Sequence, residues 1–153
     1  MSFPPTDLFS AIGLFIVNFG VLEYFTFGHL YDHFSQEEYK RAEKNHFNDR
    51  MEKVLSHLAT LRTDKKSLEA IAEFRERLAP LRDLRNNIDH GYMLMKLPDE
   101  GMPSLRIVNP RHQALPRSTS GDVTFEDILQ SLEELTEVTE ILKSLLGYRD
   151  ETP

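Results

Sequence analysis

Residues 84–92 read Leu-Arg-Asn-Asn-Ile-Asp-His-Gly-Tyr, with four residues separating Arg85 from His90. These two side-chain types suit phosphodiester cleavage without a metal. A histidine with an ordinary pKa near ~6.5 can take and return a proton at neutral pH. An arginine offers a planar fork of N–H donors that matches phosphate oxygens. The spacing alone says little, because Arg41 to His46, Arg50 to His57 and Arg106 to His112 show similar separations. Context sets the 85–90 stretch apart. Arg85 is followed directly by Asn86, and His90 by Gly91, a residue suited to ending a helix. Asn86 and His90 are i,i+4 neighbours, so the amide is expected to orient the ring. Arg41 is followed by alanine in a charged run, and Arg106 and His112 flank Asn109-Pro110, where irregular chain is expected.

The stretch has to be carried by helices. Asp7 is placed to cap a first helix reaching about Phe34, with Ile12, Ile16, Phe19, Phe27, Leu30 and Phe34 on one stripe and Glu23 among them. Leu8 to Leu30 approaches the length of a bilayer span, but Asn18, Glu23 and His29 interrupt it, so a buried core helix and no membrane partner are expected. Ser35-Gln-Glu-Glu38 has the form of a capping box for a second helical stretch that breaks near Asn45 and continues through Met51, Val54, Leu55, Leu58 and Leu61. Asp64 or Ser67 starts a third, where Pro80 predicts a kink or a restart before Leu81, Leu84 and Ile88. Residues 92–97 and 105–108 flank turn chemistry at Pro98, Gly101 and Pro103, and residues 109–121 read as a loop. Thr124-Phe-Glu-Asp127 opens a last helix with the stripe Ile128, Leu132, Leu135, Val138, Leu142 and Leu145. The pattern predicts an all-α protein, a four-to-five-helix bundle in one domain over residues 1–150, with a short β-hairpin-like insertion at about 92–121 before the last helix.

"RNNIDHG", late in a helix of an all-α chain of this size, resembles the Arg-X(4–6)-His signature of the HEPN superfamily (higher eukaryote and prokaryote nucleotide-binding domains). The resemblance covers the motif and the helical layout. It implies a helical bundle that acts as a metal-independent endoribonuclease, with Arg85 and His90 catalytic and Asn86 supporting them. Products would carry a 2′,3′-cyclic phosphate, and a toxin or phage-defence role with a protein antitoxin or regulator as partner is the implied setting. The family also includes members without activity, so a non-catalytic RNA-binding or protein-interaction module is the alternative. In that case "RNNIDHG" caps a helix whose C-terminal dipole favours His90. At about 100° per residue, Arg85 and His90 lie roughly 140° apart on an ideal helix. Arg85's reach, a distorted last turn, or a homodimer sharing a cleft would reconcile them; the homodimer is the family's arrangement and the one expected.

Neighbouring residues fill out this expectation. Arg85 lies beside the Leu81/Leu84/Ile88 stripe, and an arginine next to a core calls for an acid. Glu23 is the expected partner, with Arg82 competing for it. Arg82 and Tyr92 are further RNA contacts in this reading, Tyr92 by stacking on a base or else packing under the hairpin. His29 and His33 have a metal-compatible i,i+4 spacing but no evident third ligand, so no metal and no cofactor is expected.

Bulk composition sets the outer limits. The 153-residue chain is 40% apolar and 28% charged, as expected of a globular protein. It has no cysteine, which excludes disulfides, thiolate zinc sites and a cysteine nucleophile. The N-terminal Met1 to Asp7 lacks a basic leader, and the reading is cytoplasmic. A net charge of −7 argues against a generic nucleic-acid coat. Residues 40–66 nevertheless carry eight Lys and Arg against four acids, whereas residues 122–151 carry nine acids against two bases. The basic strip is a solvated helix face or an RNA backbone contact, and the acidic last helix a surface for a basic partner.

Overall fold

The computed structural model describes residues 6–90, 92–96, 104–108 and 122–148. It is an all-α protein of five helices with a small antiparallel sheet before the last one: α1 (Leu8–His33), α2 (Gln36–Glu43), α3 (Phe47–Leu61), α4 (Lys65–His90), β1 (Tyr92–Lys96), β2 (Ser104–Val108), β3 (Asp122–Val123) and α5 (Phe125–Leu146). The helix starts follow local chemistry. Asp7 Oδ1 accepts the Ser10 amide at 2.8 Å, and Asp64 Oδ1 accepts that of Ser67 at 2.9 Å. Ser35 and Glu38 form the reciprocal capping box. Thr124 and Asp127 form another, with the Thr124 amide 2.8 Å from Asp127 Oδ2 and the Asp127 amide 3.1 Å from Thr124 Oγ1. At the far end of α5, Gly147 adopts φ 85°, and the amides of Gly147 and Tyr148 bond the carbonyls of Ser144 and Lys143. That is a Schellman end, in a backbone region where a side chain would be strained.

The chain divides into two compact units, and the three long helices each contribute to both. The first comprises residues 1–18 and 78–135. Its buried side chains include Leu8, Ala11, Ile12 and Phe15 of α1, Leu78, Leu81 and Ile88 of α4, Leu105 of β2, and Ile128, Leu132 and Leu135 of α5. The sheet belongs to this unit. It has the order β1-β2-β3, with Tyr92 opposite Val108, Lys96 opposite Ser104, and Leu105 opposite Val123. The expected hairpin is therefore present, and β3 extends it by one short strand. The turn at 97–103, the loop at 109–121 and Gly91 lie outside the described residues.

The second unit comprises residues 19–77 and 136–153. Its buried side chains include Phe19, Leu22, Thr26, His29 and Leu30 of α1, Phe47, Met51, Val54, Leu55 and Leu58 of α3, Ile71 and Phe74 of α4, and Val138, Leu142 and Leu145 of α5. Phe19 and Phe47 rings meet at 5.0 Å. Thr26 satisfies its buried hydroxyl by donating to the Leu22 carbonyl at 2.7 Å, one turn back on its own helix.

Two sequence expectations change here. The buried face of α1 runs through Leu8, Ala11, Ile12, Phe15, Phe19, Leu22, Thr26, His29 and Leu30; it keeps Ile12, Phe19 and Leu30 of the expected stripe and turns away from Ile16, Phe27 and Phe34. Ile16, Phe27 and Phe34 are only half-buried, while Val17, Tyr24 and Tyr31 are exposed. A helix that is apolar nearly all round does not select its inner face by periodicity. The other concerns the restart allowed at Pro80: α4 does not restart there but continues as one helix from Lys65 to His90. A proline inside a helix costs about 3 kcal/mol or more. Burial of Leu78 and Leu81 on either side of Pro80 offsets part of that cost.

Candidate functional site

The last two turns of α4 carry the motif. Ile88, buried on the inner face, anchors this end of the helix, while Arg85, Asn86 and Asn87 are half-buried and His90 is exposed. Arg85 Nε lies 3.0 Å from Asp89 Oδ2, an i,i+4 ion pair one turn along the helix. Its Nη1 donates to Asn86 Oδ1 at 3.3 Å. Asn86 thus turns to the arginine rather than to the histidine. Among the described residues no side chain hydrogen-bonds the His90 ring, which is left open to solvent at the end of the helix. Arg82 pairs with the adjacent Asp83 at 3.1 Å. The Tyr92 side chain lies outside the described residues.

Glu23 has a partner that the sequence reading did not consider. Its Oε1 is 3.7 Å from Nη2 of Arg50, in the first turn of α3. Arg50 is 8% exposed; it also donates through Nη1 to the Asn45 carbonyl and lies with its guanidinium carbon 4.6 Å from the centroid of the Phe27 ring. Its Nε is buried and makes no hydrogen bond among the described residues. One signal was present in the sequence: position 50 falls on the same helical face as Phe47, Val54 and Leu58. A base on an inward face of α3 and an acid on α1 are a natural pair, since each needs an opposite charge once removed from water. The expected Arg85 support is therefore found locally, in Asp89 and Asn86.

The second concentration of functional side chains is the one that spacing could not reveal. His57 of α3 joins His29 and His33 of α1. His29 Nε2 and His57 Nδ1 are 2.9 Å apart, a hydrogen bond in which one ring donates and the other accepts. Ring centroids are 4.3 Å apart for His29 and His33, 5.1 Å for His29 and His57, and 5.5 Å for His33 and His57. Phe34 meets the His57 ring edge-on at 4.9 Å. A cavity of about 260 Å³ opens beside the cluster, lined by His29, Asp32, His33, Leu146, Gly147 and Tyr148. Burial, reinforced by the neighbouring His33 and His57, lowers the His29 pKa to about 4 against the opposing pull of Asp32. Among the described residues no group of three or more His, Cys, Asp or Glu side chains is arranged to hold a metal ion.

The two regions have different chemical capacities. The end of α4 presents an exposed imidazole one turn beyond a carboxylate-bound guanidinium, which suits proton transfer beside an anion. The imidazole cluster keeps its central ring neutral and shielded from water. No protein-family model, curated protein or solved structure matches the chain.

Proposed function

We propose that the end of α4 is the cleavage site of a HEPN-like, metal-independent endoribonuclease. The observation that supports this reading is the division of labour within the last two turns of α4. Arg85 is steadied by Asp89 and Asn86, whereas His90 is solvent-exposed and uncommitted among the described residues. In this mechanism His90 takes the proton of the RNA 2′-hydroxyl as its oxygen attacks the adjacent phosphorus. Arg85 turns its guanidinium to the phosphate as charge develops on the five-coordinate phosphorus. The P–O5′ bond breaks, a proton is delivered to the leaving oxygen, and a 2′,3′-cyclic phosphate and a 5′-hydroxyl remain. The phosphate competes with Asp89 for the guanidinium, so that carboxylate tunes the site. Since Arg85 and His90 diverge around the helix, a second copy of the chain supplies the complementary residue at each phosphate, and the active species is a homodimer. Arg82 and Tyr92 extend the contact along the RNA. A toxin or phage-defence effector held by a protein antitoxin is the setting that fits such an activity.

The test is cleavage of labelled single-stranded RNA in EDTA by the intact protein and by the Arg85→Ala and His90→Ala variants. Loss of cyclic-phosphate product in both variants supports the assignment. Undiminished cleavage by either one rejects it. A second reading, a non-catalytic RNA-binding or protein-interaction module, draws on the Arg85–Asp89 pair, which already neutralises the guanidinium. Under that reading wild-type protein binds RNA or a protein partner and leaves RNA intact.

A further inference from the structure

The C-terminal end of α1 is joined to α3 by imidazoles. His29 contributes a ring that is 6% exposed and hydrogen-bonded at 2.9 Å to His57, with His33 stacked 4.3 Å away on the solvent side. We propose that His29, His33 and His57 form an acid-sensitive latch between α1 and α3, closed while no more than one ring is charged and released when two are.

The hydrogen bond between His29 and His57 needs one N–H and one lone pair. A single proton on His57 leaves this intact, because its Nδ1–H then donates to His29 Nε2. A second proton has no such accommodation. If it enters His29, the acceptor is lost; if it enters His33, two cations face each other across ring separations of 5.5 Å or less. The surrounding charges do little to absorb it. From α1, Asp32 is the carboxylate lining the adjoining cavity, and its attraction for a charged His29 ranks below the effects of burial, His33 and His57. From α3, Lys53 places its ammonium 4.6 Å from the centroid of the Phe34 ring, and its charge is already paired at 3.6 Å with Glu38 of α2. After α3, the Arg62 guanidinium reaches to 3.5 Å from where a Gly147 side chain would begin, and Tyr148 lines the cavity as a neutral phenol. Apart from Asp32, the nearby ionised groups among the described residues are cations or an acid already paired. Among these residues two imidazolium charges therefore have one carboxylate to answer them, and separating the helices relieves the excess. Because the separated rings bind more protons than the closed latch, release is favoured progressively as pH falls.

Amide hydrogen exchange on the intact chain in EDTA tests the latch, with rates corrected for their intrinsic pH dependence. Between about pH 7.5 and about pH 5.5, protection across residues 28–34 and 54–60 is expected to fall roughly tenfold or more, while residues 82–90 keep theirs. His33→Asn removes one exposed ring and should move the transition about half a pH unit or more towards acid. His29→Phe keeps a buried aromatic and should flatten the response. Unchanged wild-type protection over this range overturns the proposal. So does a His33→Asn variant whose transition coincides with that of wild type.

Discussion

His90 and His29 both stand within the last turns of a 26-residue helix, yet they meet opposite surroundings. His90 closes α4 in solvent, beside an arginine already held by a carboxylate. His29 is sealed under its own helix and α3, bonded to one imidazole and stacked on another. Exposure leaves a proton carrier free to meet a substrate, whereas burial converts the same side chain into a structural contact that resists charge. The arginines divide in the same way. Arg85 is half-buried and bound within its helix, while Arg50 is buried and joins α3 to α1 through Glu23.

The largest expected effect separates the two histidines by readout. His90→Ala should lower RNA cleavage by about 10²–10⁴-fold while leaving the urea midpoint unchanged, as removal of an exposed acid/base group does. If His90→Ala unfolds the protein or cleaves normally, the contrast between an open and a sealed histidine collapses. Arg50→Leu is expected to cost about 3 kcal/mol in urea unfolding, since it removes a buried guanidinium from its ion pair with Glu23 and from its contact with Phe27. A loss below about 1 kcal/mol would reduce the Glu23–Arg50 pair to an ordinary surface contact.

The pH dependence sharpens the comparison further. The folded state depresses the His29 pKa to about 4 from an ordinary 6.5, so the unfolded chain binds more protons between those values. Its stabilising share is therefore complete above about pH 6.5 and is lost progressively as pH falls towards 4. Urea midpoints measured over that window should fall for wild type and fall less for His29→Phe. Parallel curves would show that another group carries the acid sensitivity. The smallest effect is expected at the helix caps, where Ser35→Ala and Thr124→Ala each remove a side-chain bond to a helix-starting amide. Each should cost about 1 kcal/mol by chemical denaturation and leave the pH profile of the His29 cluster in place.

Several elements were legible because their signals are local. The capping boxes at Ser35 and Thr124 depend on residues three apart, and the chain forms them as the pattern predicts. The inner stripe of α5, from Ile128 to Leu145, is buried throughout, because its acidic outer face leaves one way to turn the helix. The 92–96 and 104–108 strands pair antiparallel where the sequence places a hairpin. In α1 the same reasoning misjudged the inner face: apolar residues on almost every side give the helix no outer face to reject. At Pro80 the helix did not restart, and leucines are buried on either side of the proline.

By itself the sequence determined the helical class, the helix starts, the place of the hairpin and the motif that joins Arg85 to His90, all of them properties of neighbours along the chain. Tertiary structure alone decided which groups lie inside and with whom. It brought His57 to His29 across 28 residues and gave Glu23 to Arg50. A spacing pattern records how residues are ordered along one helix, whereas a buried polar group takes whatever partner the packing of another helix delivers, because leaving it unpaired away from water costs more than the pairing itself provides.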